Sequence, residues 1–97
     1  MRRSSSVISP VLSVMVFGTE YCPPCKIVKS LLNNLSESRS DFELSFIDTE
    51  DNPKFTVANS VQSAPTVLFF VNGSEVDRLI GLQGLEVFQD RISKWAS

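Results

Sequence analysis

The 97-residue sequence contains no histidine, only two cysteines and no long apolar run. The absence of histidine excludes Ser-His-Asp and Cys-His catalysis, histidine acid–base chemistry and histidine metal ligands. A transmembrane helix needs roughly 18 or more apolar residues in succession, so we expect none and no membrane partner. Nine Lys and Arg against eleven Asp and Glu leave a net charge of −2. A nucleic-acid binder normally carries a basic excess, so we expect no nucleic-acid partner.

The length predicts one domain, because 97 residues are too few for two ordinary hydrophobic cores. Residues 1–9 are predicted to be a flexible polar tail, and residues 10–97 a single domain. The start of the chain faintly resembles a secretory signal, but Pro10 interrupts its apolar pattern and no small-residue cleavage site follows Phe17. We therefore expect a cytoplasmic protein, and we expect it to be a monomer.

The two cysteines form the most informative motif, Cys22-Pro23-Pro24-Cys25. A purely structural disulfide here would close a very short loop, and short loops give the least entropic stabilisation. Structural zinc takes four Cys or His ligands, so two cysteines predict no metal unless a dimer shares a site. The remaining interpretation is a redox pair whose disulfide is made and broken during function.

The redox pair is predicted to lie where a buried strand meets the start of a helix. Residues 11–17 are a nearly continuous apolar run, typical of a strand in a parallel sheet. A helical pattern begins at Pro23, and proline is tolerated in the first turn. The helix N-terminus favours a thiolate, and because Pro23 and Pro24 have no N–H, the amide and thiol of Cys25 are the expected donors to the Cys22 sulfur. Cys22 is therefore the predicted nucleophile and Cys25 the resolving cysteine.

The other periodic segments complete an α/β pattern. Strands are predicted over residues 42–48, 66–71 and 75–80, with Asn72-Gly73 as a hairpin turn between the last two. Asn52-Pro53 is typical of the N-cap and first turn of a helix, here a short one ending at about Asn59. The helix after the cysteines is predicted from the apolar stripe Ile27, Val28, Leu31, Leu32 and Leu35. A terminal amphipathic helix is predicted from the spacing of Leu85, Phe88, Ile92 and Trp95.

Over residues 11–96 the sequence resembles a thioredoxin. An aromatic residue precedes Cys-Gly-Pro-Cys-Lys in that family, and Tyr21 through Lys26 resembles this segment. Three later segments also resemble the family: the stretch before its short helix, its Pro-Thr segment and its hairpin turn. In this chain they are Asp51-Asn52-Pro53, Pro65-Thr66 and Asn72-Gly73. The resemblance implies a thioredoxin-like fold, with a central mixed sheet flanked by helices. Its four strands would be ordered 42–48, 11–17, 66–71, 75–80.

The resemblance also implies an activity, the reduction of protein disulfides through a reversible Cys22–Cys25 disulfide. It implies a substrate-binding rim of Tyr21, Ala64, Pro65 and Gly81 beside the active-site dipeptide Pro23 and Pro24. In the family this Pro65 is cis, and Ala64 would offer backbone groups to an extended substrate segment. No cofactor is implied. The implied partners are disulfide-containing proteins and a thioredoxin reductase, or another dithiol or glutathione donor.

Three features depart from the family pattern. The family's buried Asp aligns with Val16 and its Lys partner with Phe46, so removal of the Cys25 proton is expected to be slower or to pass through water. Glu20 is a candidate substitute for the acid, although we expect it to be solvated. Gly18 replaces a Trp, which thins the wall of the site. The Pro-Pro dipeptide stiffens the turn, so the redox potential cannot be taken from relatives.

Three alternative functions stay open from the sequence. A glutaredoxin-like protein would use glutathione, but Thr19-Glu20-Tyr21 and residues 81–84 lack the cation and helix-opening Asp that hold its carboxylates, leaving Lys26 as a contributor. A non-catalytic docking module would keep the fold without using its cysteines. An oxidase or isomerase would need an oxidising compartment. Of the four interpretations, the sequence favours reduction of protein disulfides.

Overall fold

Residues 11–96 are described by a computed structural model, and the predicted tail over residues 1–9 lies outside them. The elements run β1 (Leu12–Gly18), α1 (Pro23–Ser38), β2 (Phe42–Asp48), α2 (Pro53–Ala58), β3 (Thr66–Val71), β4 (Ser74–Ile80) and α3 (Leu85–Trp95). The strands form one sheet in the order β2-β1-β3-β4. β1 pairs parallel with β2 and antiparallel with β3, and β3 pairs antiparallel with β4. The predicted α/β fold and strand order are confirmed, with β1 displaced by one residue.

The main hydrophobic core lies between one face of the sheet and the helices α1 and α3. Alternate residues of β1 enter this core, as expected for a strand whose successive side chains point to opposite faces. Each such buried side chain contributes about 1.5–3 kcal/mol through the removal of apolar surface from water. The buried members are Leu12, Val14, Val16, Val28, Leu32, Leu35, Phe42, Val67, Phe69, Leu79, Phe88 and Ile92. This packing fixes α1, and with it the cysteine motif, against the end of β1.

A smaller core on the opposite face holds α2 near the same end of the sheet. Phe17, Val61 and Leu68 are buried there, with Met15 partly buried beside them. The ring of Phe17 stacks on that of Phe55 from α2, with 5.9 Å between the ring centroids. The sheet is therefore packed from both sides where β1 ends and the cysteine motif begins.

Two details of the helices differ from the sequence prediction. Ile27, placed in the apolar stripe of α1, is 48% exposed. Each helical residue is rotated by about 100° from the next, so Val28 faces the core and its neighbour Ile27 turns away. Asn52 does occupy the N-cap of α2, but its side chain makes no cap hydrogen bond. The side-chain Nδ2 of Asn52 donates instead to the carbonyl oxygen of Asp48, over 2.9 Å.

The β3–β4 hairpin follows its turn residues. Asn72 and Gly73 both have positive φ, of 52° and 84°. Two successive left-handed residues make the type of turn that matches the twist of paired strands, which confirms the hairpin predicted from Asn-Gly. A shift of register between Phe69 and Phe70 marks an irregularity in the pairing of β3 with β4.

Asp77 on β4 ties this edge strand to α3. Its two carboxylate oxygens accept hydrogen bonds from Trp95 Nε1, over 2.9 Å, and from Arg91, over 2.8 Å. Burial by itself raises the pKa of Asp77, but the hydrogen bonds from Trp95 and the Arg78 amide and the charge of Arg91 outweigh burial. The net effect holds the pKa of Asp77 below its usual range, so the carboxylate is the stable form.

Candidate active site

Cys22 and Cys25 are joined by a disulfide at the N-terminus of α1, with their Cα atoms 5.2 Å apart. Cys22 is the N-cap of the helix and has extended backbone dihedrals, φ −107° and ψ 106°. The backbone N–H of Cys25 donates to Cys22 Sγ over 3.2 Å, in the manner of a capping side chain. The amide donor predicted from the Pro-Pro dipeptide is therefore present. The thiol donor belongs to the reduced pair and stays a prediction, because here the Cys25 sulfur is part of the disulfide.

The two cysteines differ in burial. Cys25 is 5% exposed and faces the junction of α1 with the end of β1, whereas Cys22 is only partly buried. The adjoining Pro23 is exposed, and Pro24 is partly buried. The disulfide thus presents its Cys22 end to the surface and its Cys25 end to the interior.

The loop before β3 forms one side of the site. The Ala64–Pro65 peptide bond is cis, and the carbonyl oxygen of Ala64 lies 4.0 Å from Cys22 Sγ. Gly81, with φ +87°, donates its N–H to the carbonyl oxygen of Pro65 over 2.8 Å. Ala64, Pro65 and Gly81 are thus joined beside Cys22 in the structure. Tyr21 directly precedes Cys22 and is 78% exposed.

Arg78 holds this loop to β4, and sequence reasoning had not identified it. Its guanidinium donates to the carbonyl oxygens of Asn59 and Ser60, over 2.7 and 2.9 Å, and forms a two-point ion pair with Glu75. The Glu75 hydrogen bonds raise the pKa of Arg78 and lower that of Glu75. Ser60 has φ 57°, so the guanidinium fixes a left-handed residue at the start of the loop. The sequence signal was weak, since an arginine on an edge strand is ordinarily solvated.

A cavity of about 330 Å³ is lined by Cys25 and shares no lining residue with Ala64, Pro65 or Gly81. Its buried end includes Val16, which is 3% exposed, while Lys26, Lys29 and Glu20 are exposed residues on its wall. The full lining comprises Val16, Gly18, Thr19, Glu20, Cys25, Lys26, Lys29, Phe46, Ile47 and Asp48. The cavity therefore connects solvent with the buried cysteine.

Three positions that depart from the family pattern, Val16, Gly18 and Phe46, line this cavity, whereas Pro23 and Pro24 do not. Val16 and Phe46 sit side by side in the pairing of β1 with β2. The Lys29 ammonium lies 4.8 Å from the centre of the Phe46 ring, within the distance at which a cation is attracted to an aromatic face. Glu20, the candidate substitute acid, is exposed as expected and lies on the wall of the same cavity as Cys25.

Gly18 forms the part of the wall closest to Cys25. A β-carbon built on Gly18 would lie 2.8 Å from Cys25 Sγ and 3.0 Å from its Cβ, closer than real side chains pack. The carbonyl of Gly18 accepts a hydrogen bond from the Thr49 amide over 3.0 Å, which fixes the strand end. The close approach of strand β1 to Cys25 therefore requires glycine at position 18. The missing side chain also gives the thinner wall that the sequence predicts.

Within residues 11–96, no group of His, Cys, Asp and Glu side chains is arranged to hold a metal ion. In the same span, none of the helices has the length and apolar character needed to cross a membrane.

Comparison with known proteins gives a consistent result. The family model described as Thioredoxin matches residues 5–94. A thioredoxin of Chlamydia pneumoniae is 32% identical over 91 residues, covering 94% of this chain and 89% of that protein. A thioredoxin of Rickettsia prowazekii is 33% identical over 92 residues, covering 93% and 88%. Among solved structures, a mutant thioredoxin from Halobacterium salinarum superposes with a TM-score of 0.85 at 24% identity, covering 91% of this chain and 77% of that one.

Proposed function

This chain belongs to the thioredoxin family, and we propose that it reduces disulfides in extended protein segments by attack of Cys22, with Cys25 as the resolving cysteine. Thioredoxins are dithiol oxidoreductases that reduce protein disulfides. With its Cys22–Cys25 pair, this chain is a thiol–disulfide oxidoreductase of that kind. The observation that carries the assignment of roles is the difference in burial between the two sulfur-bearing residues.

Cys22 is the proposed nucleophile because its sulfur is both reachable and stabilised as an anion. The Cys25 N–H, 3.2 Å away, and the positive end of α1 favour the thiolate over the thiol. In the dithiol form, the Cys22 thiolate attacks one sulfur of a substrate disulfide. The new bond joins Cys22 to the substrate, and the second substrate sulfur leaves as a thiolate.

Cys25 is the proposed resolving residue because it sits behind Cys22, one helical turn further along α1. Its thiolate attacks Cys22 Sγ, which restores the Cys22–Cys25 bond and releases the remaining substrate sulfur as a thiolate. The proton of the Cys25 thiol must leave first. Val16 stands where the family has an acid, so we propose that water in the adjoining cavity carries this proton outwards.

The substrate segment is proposed to lie along Ala64 and Pro65. The Ala64 carbonyl, 4.0 Å from Cys22 Sγ, is an acceptor that a strand-like peptide can use, so that backbone pairing supplies affinity without demanding one sequence. Tyr21 and Gly81 flank this position, and Tyr21 offers a large exposed aromatic surface. Pro23 and Pro24 would limit the movement of the Cys22 turn during exchange.

A reductase or another dithiol or glutathione donor is needed to return the pair to the dithiol form. We place this cycle in the cytoplasm, where thiol systems keep cysteines reduced and a disulfide reductase can turn over repeatedly. A role in cell redox homeostasis and electron transport from that donor follows from the same cycle. Trapping the redox state of the pair in fractionated cells tests the placement: a largely reduced pair in the cytosolic fraction supports it, and an oxidised pair in an exported fraction opposes it.

The assignment of roles is tested with two matched single substitutions, Cys22→Ser and Cys25→Ser. Cys22→Ser should abolish reduction of a protein disulfide such as those of insulin. Cys25→Ser should accumulate a mixed disulfide with the substrate through Cys22, visible by mass spectrometry. If Cys25→Ser forms no adduct while Cys22→Ser does, the two roles are reversed. If alkylated protein still binds its partners and supports their function, the docking-module alternative replaces the enzyme.

A further inference from the structure

The loop before β3 is held at both ends by the last residues of β4 and the glycine that follows them. At the start of the loop, the Arg78 guanidinium donates to the carbonyl oxygens of Asn59 and Ser60, over 2.7 and 2.9 Å. At its end, the N–H of Gly81 donates to the carbonyl oxygen of Pro65 over 2.8 Å. One short stretch of chain, from Arg78 to Gly81, therefore sets the position of both ends.

The part of this loop that reaches the disulfide is short. Val61 is 8% exposed and packs in the smaller core, and Pro65 is buried as well. Residues 62–64 are the exposed stretch between these two anchors. The carbonyl oxygen of Ala64, 4.0 Å from Cys22 Sγ, belongs to this stretch. Its position therefore depends directly on how the two ends of the loop are held.

We propose that Arg78 is a positioning residue for protein substrates, because it holds the loop so that the Ala64 carbonyl can pair with an extended segment. The inference rests on the proposed function, and it adds a residue whose own contacts are with the loop and with Glu75. Arg78 acts on binding, since a loop that is already ordered loses little conformational freedom when a substrate docks. The attack of Cys22 on a disulfide is a reaction between sulfur atoms and uses no group of the loop.

Glu75 orients the Arg78 guanidinium for this task. Its two carboxylate oxygens accept hydrogen bonds from Nε and from one terminal nitrogen, over 2.8 and 2.9 Å, in a two-point geometry that a lysine cannot make. Both terminal nitrogens are then directed at the loop carbonyls. Ser60 has φ 57°, a left-handed conformation that is uncommon for residues other than glycine, and the hydrogen bond to its carbonyl helps to hold it.

The test compares two disulfides in a single turnover of the reduced protein. The first joins two short peptides that carry a fluorophore and a quencher, and its backbone can pair with Ala64. The second is hydroxyethyl disulfide, which has no peptide backbone. Stopped-flow fluorescence gives the half-saturating concentration and the limiting rate for the peptide disulfide. Quenched samples analysed by mass spectrometry give the rate for hydroxyethyl disulfide.

Arg78→Gln should raise the half-saturating concentration of the peptide disulfide about two- to tenfold, because apparent affinity falls with the fraction of molecules whose loop is correctly placed. The limiting rate should stay the same, which is the pattern for loss of binding that is equal in the ground state and the transition state. The rate with hydroxyethyl disulfide should also stay the same. A general loss of stability would not separate the two substrates in this way.

Two further variants control for the loss of an ion pair. Arg39→Gln breaks a two-point pair of the same kind, with Asp41, at the opposite end of α1 from Cys22, and should change neither substrate's kinetics. Glu75→Gln keeps Arg78 and removes only the charge that orients it. Its effect on the peptide disulfide should be in the same direction as that of Arg78→Gln and smaller. Glu75→Gln also provides the test if Arg78→Gln does not fold.

The inference is overturned if Arg78→Gln and Arg39→Gln give the same half-saturating concentration for the peptide disulfide. It is equally overturned if Arg78→Gln slows both substrates alike, or if Arg78→Gln does not fold and Glu75→Gln behaves as wild type. Reduction of the peptide disulfide by the wild-type protein with no effect of these variants removes the inference and leaves the proposed function. If the wild-type protein reduces hydroxyethyl disulfide but not the peptide disulfide, the proposed function itself fails.

Discussion

The backbone of Gly18 at the end of β1 lies directly against the sulfur of Cys25, with no room for a β-carbon between them. The strand and the disulfide are therefore in contact at one point, and that point also borders the cavity. We therefore expect the conformation of the strand end and the redox state of the cysteine pair to be coupled through this contact.

The coupling predicts that Gly18→Ala destabilises the oxidised protein more than the reduced protein. The new methyl would meet Cys25 Sγ at 2.8 Å, and forced overpacking of this kind costs about 1–3 kcal/mol. In the dithiol form the free side chain of Cys25 can rotate away, so the loss is smaller. The disulfide of the variant should consequently be easier to reduce. Urea unfolding of both redox forms measures the two losses, and equilibration with thiol buffers measures the potential.

Gly73→Ala is the matched control for that experiment. Gly73 has φ +84° and nothing within 4 Å of an added β-carbon, so alanine there costs only backbone strain, about 1 kcal/mol. The hairpin turn is remote from the cysteines in the sequence and does not line the cavity beside them. We expect equal losses in the two redox forms. A redox-dependent loss for Gly73→Ala, or an equal loss for Gly18→Ala, would contradict the coupling.

The strands could be predicted from the sequence because each signal was local and strong, whereas their order in the sheet was implied by the family resemblance. The apolar run through Val14 and Val16 identified a buried strand, and Asn72-Gly73 identified the hairpin through its requirement for left-handed dihedrals. Ile27 was misplaced because an apolar residue at the border of a helical stripe can face either way. Only the packing of α1 against its neighbours decides its direction.

The site, like the fold, has parts that the sequence predicted and parts that it did not. The motif Cys22-Pro23-Pro24-Cys25 located the disulfide, and the Ala64–Pro65 bond is cis as the family resemblance implied. The cavity could not be predicted, because it depends on side chains from three separate segments of the chain: the end of β1, the start of α1 and the end of β2. Nor could the role of Arg78, whose partners Asn59 and Ser60 are distant in sequence.

Because Arg78 holds the loop before β3, we expect Arg78→Lys to destabilise that loop. One ammonium cannot replace a guanidinium that reaches Glu75 and the carbonyls of Asn59 and Ser60 together. The variant should lose about 1–2 kcal/mol of stability. Hydrogen exchange should rise most at the amide of Val61, which follows the released carbonyls and donates to Thr56.

Arg39→Lys provides the comparison for the loop. Arg39 also pairs with a carboxylate at two points, but Asp41 lies only two residues away and the pair is partly exposed. Its loss should cost less than about 1 kcal/mol and leave exchange at Val61 unchanged. Similar exchange profiles for the two variants would show that Arg78 does not hold the loop.

The Asp77 contacts predict a stability that depends on pH. Because the pKa of Asp77 is lower in the folded protein than in the unfolded chain, its contribution is complete above the unfolded value, about 3.9. The contribution is lost as the pH falls through the folded value. Asp77→Asn should lower the free energy of unfolding by about 1.5–3 kcal/mol at pH 7, through loss of charged hydrogen bonds to Trp95 and Arg91.

Urea unfolding at several pH values measures this difference between wild type and Asp77→Asn. The difference should be constant from neutral pH down to the unfolded pKa and should shrink below it. The asparagine retains the shape of the side chain, so packing losses are small and independent of pH. If the difference in free energy of unfolding stays the same at acid pH, ionisation of Asp77 contributes nothing to stability.

Restoring an acid at Val16 tests how the proton of Cys25 leaves. Val16 is 3% exposed and lines the cavity with Cys25, so Val16→Asp should place a carboxyl group whose pKa is raised by burial near the sulfur. Ionised, it can take the proton directly, and resolution of the mixed disulfide should accelerate as the pH rises through its pKa. Val16→Asn is the matched control. Asparagine has the same shape as aspartate and should cost a similar amount of stability when buried, but it has no basic group to accept the proton. Stopped-flow decay of a preformed mixed disulfide, followed across pH, should separate the two variants, and identical profiles would show that proton removal does not limit the step.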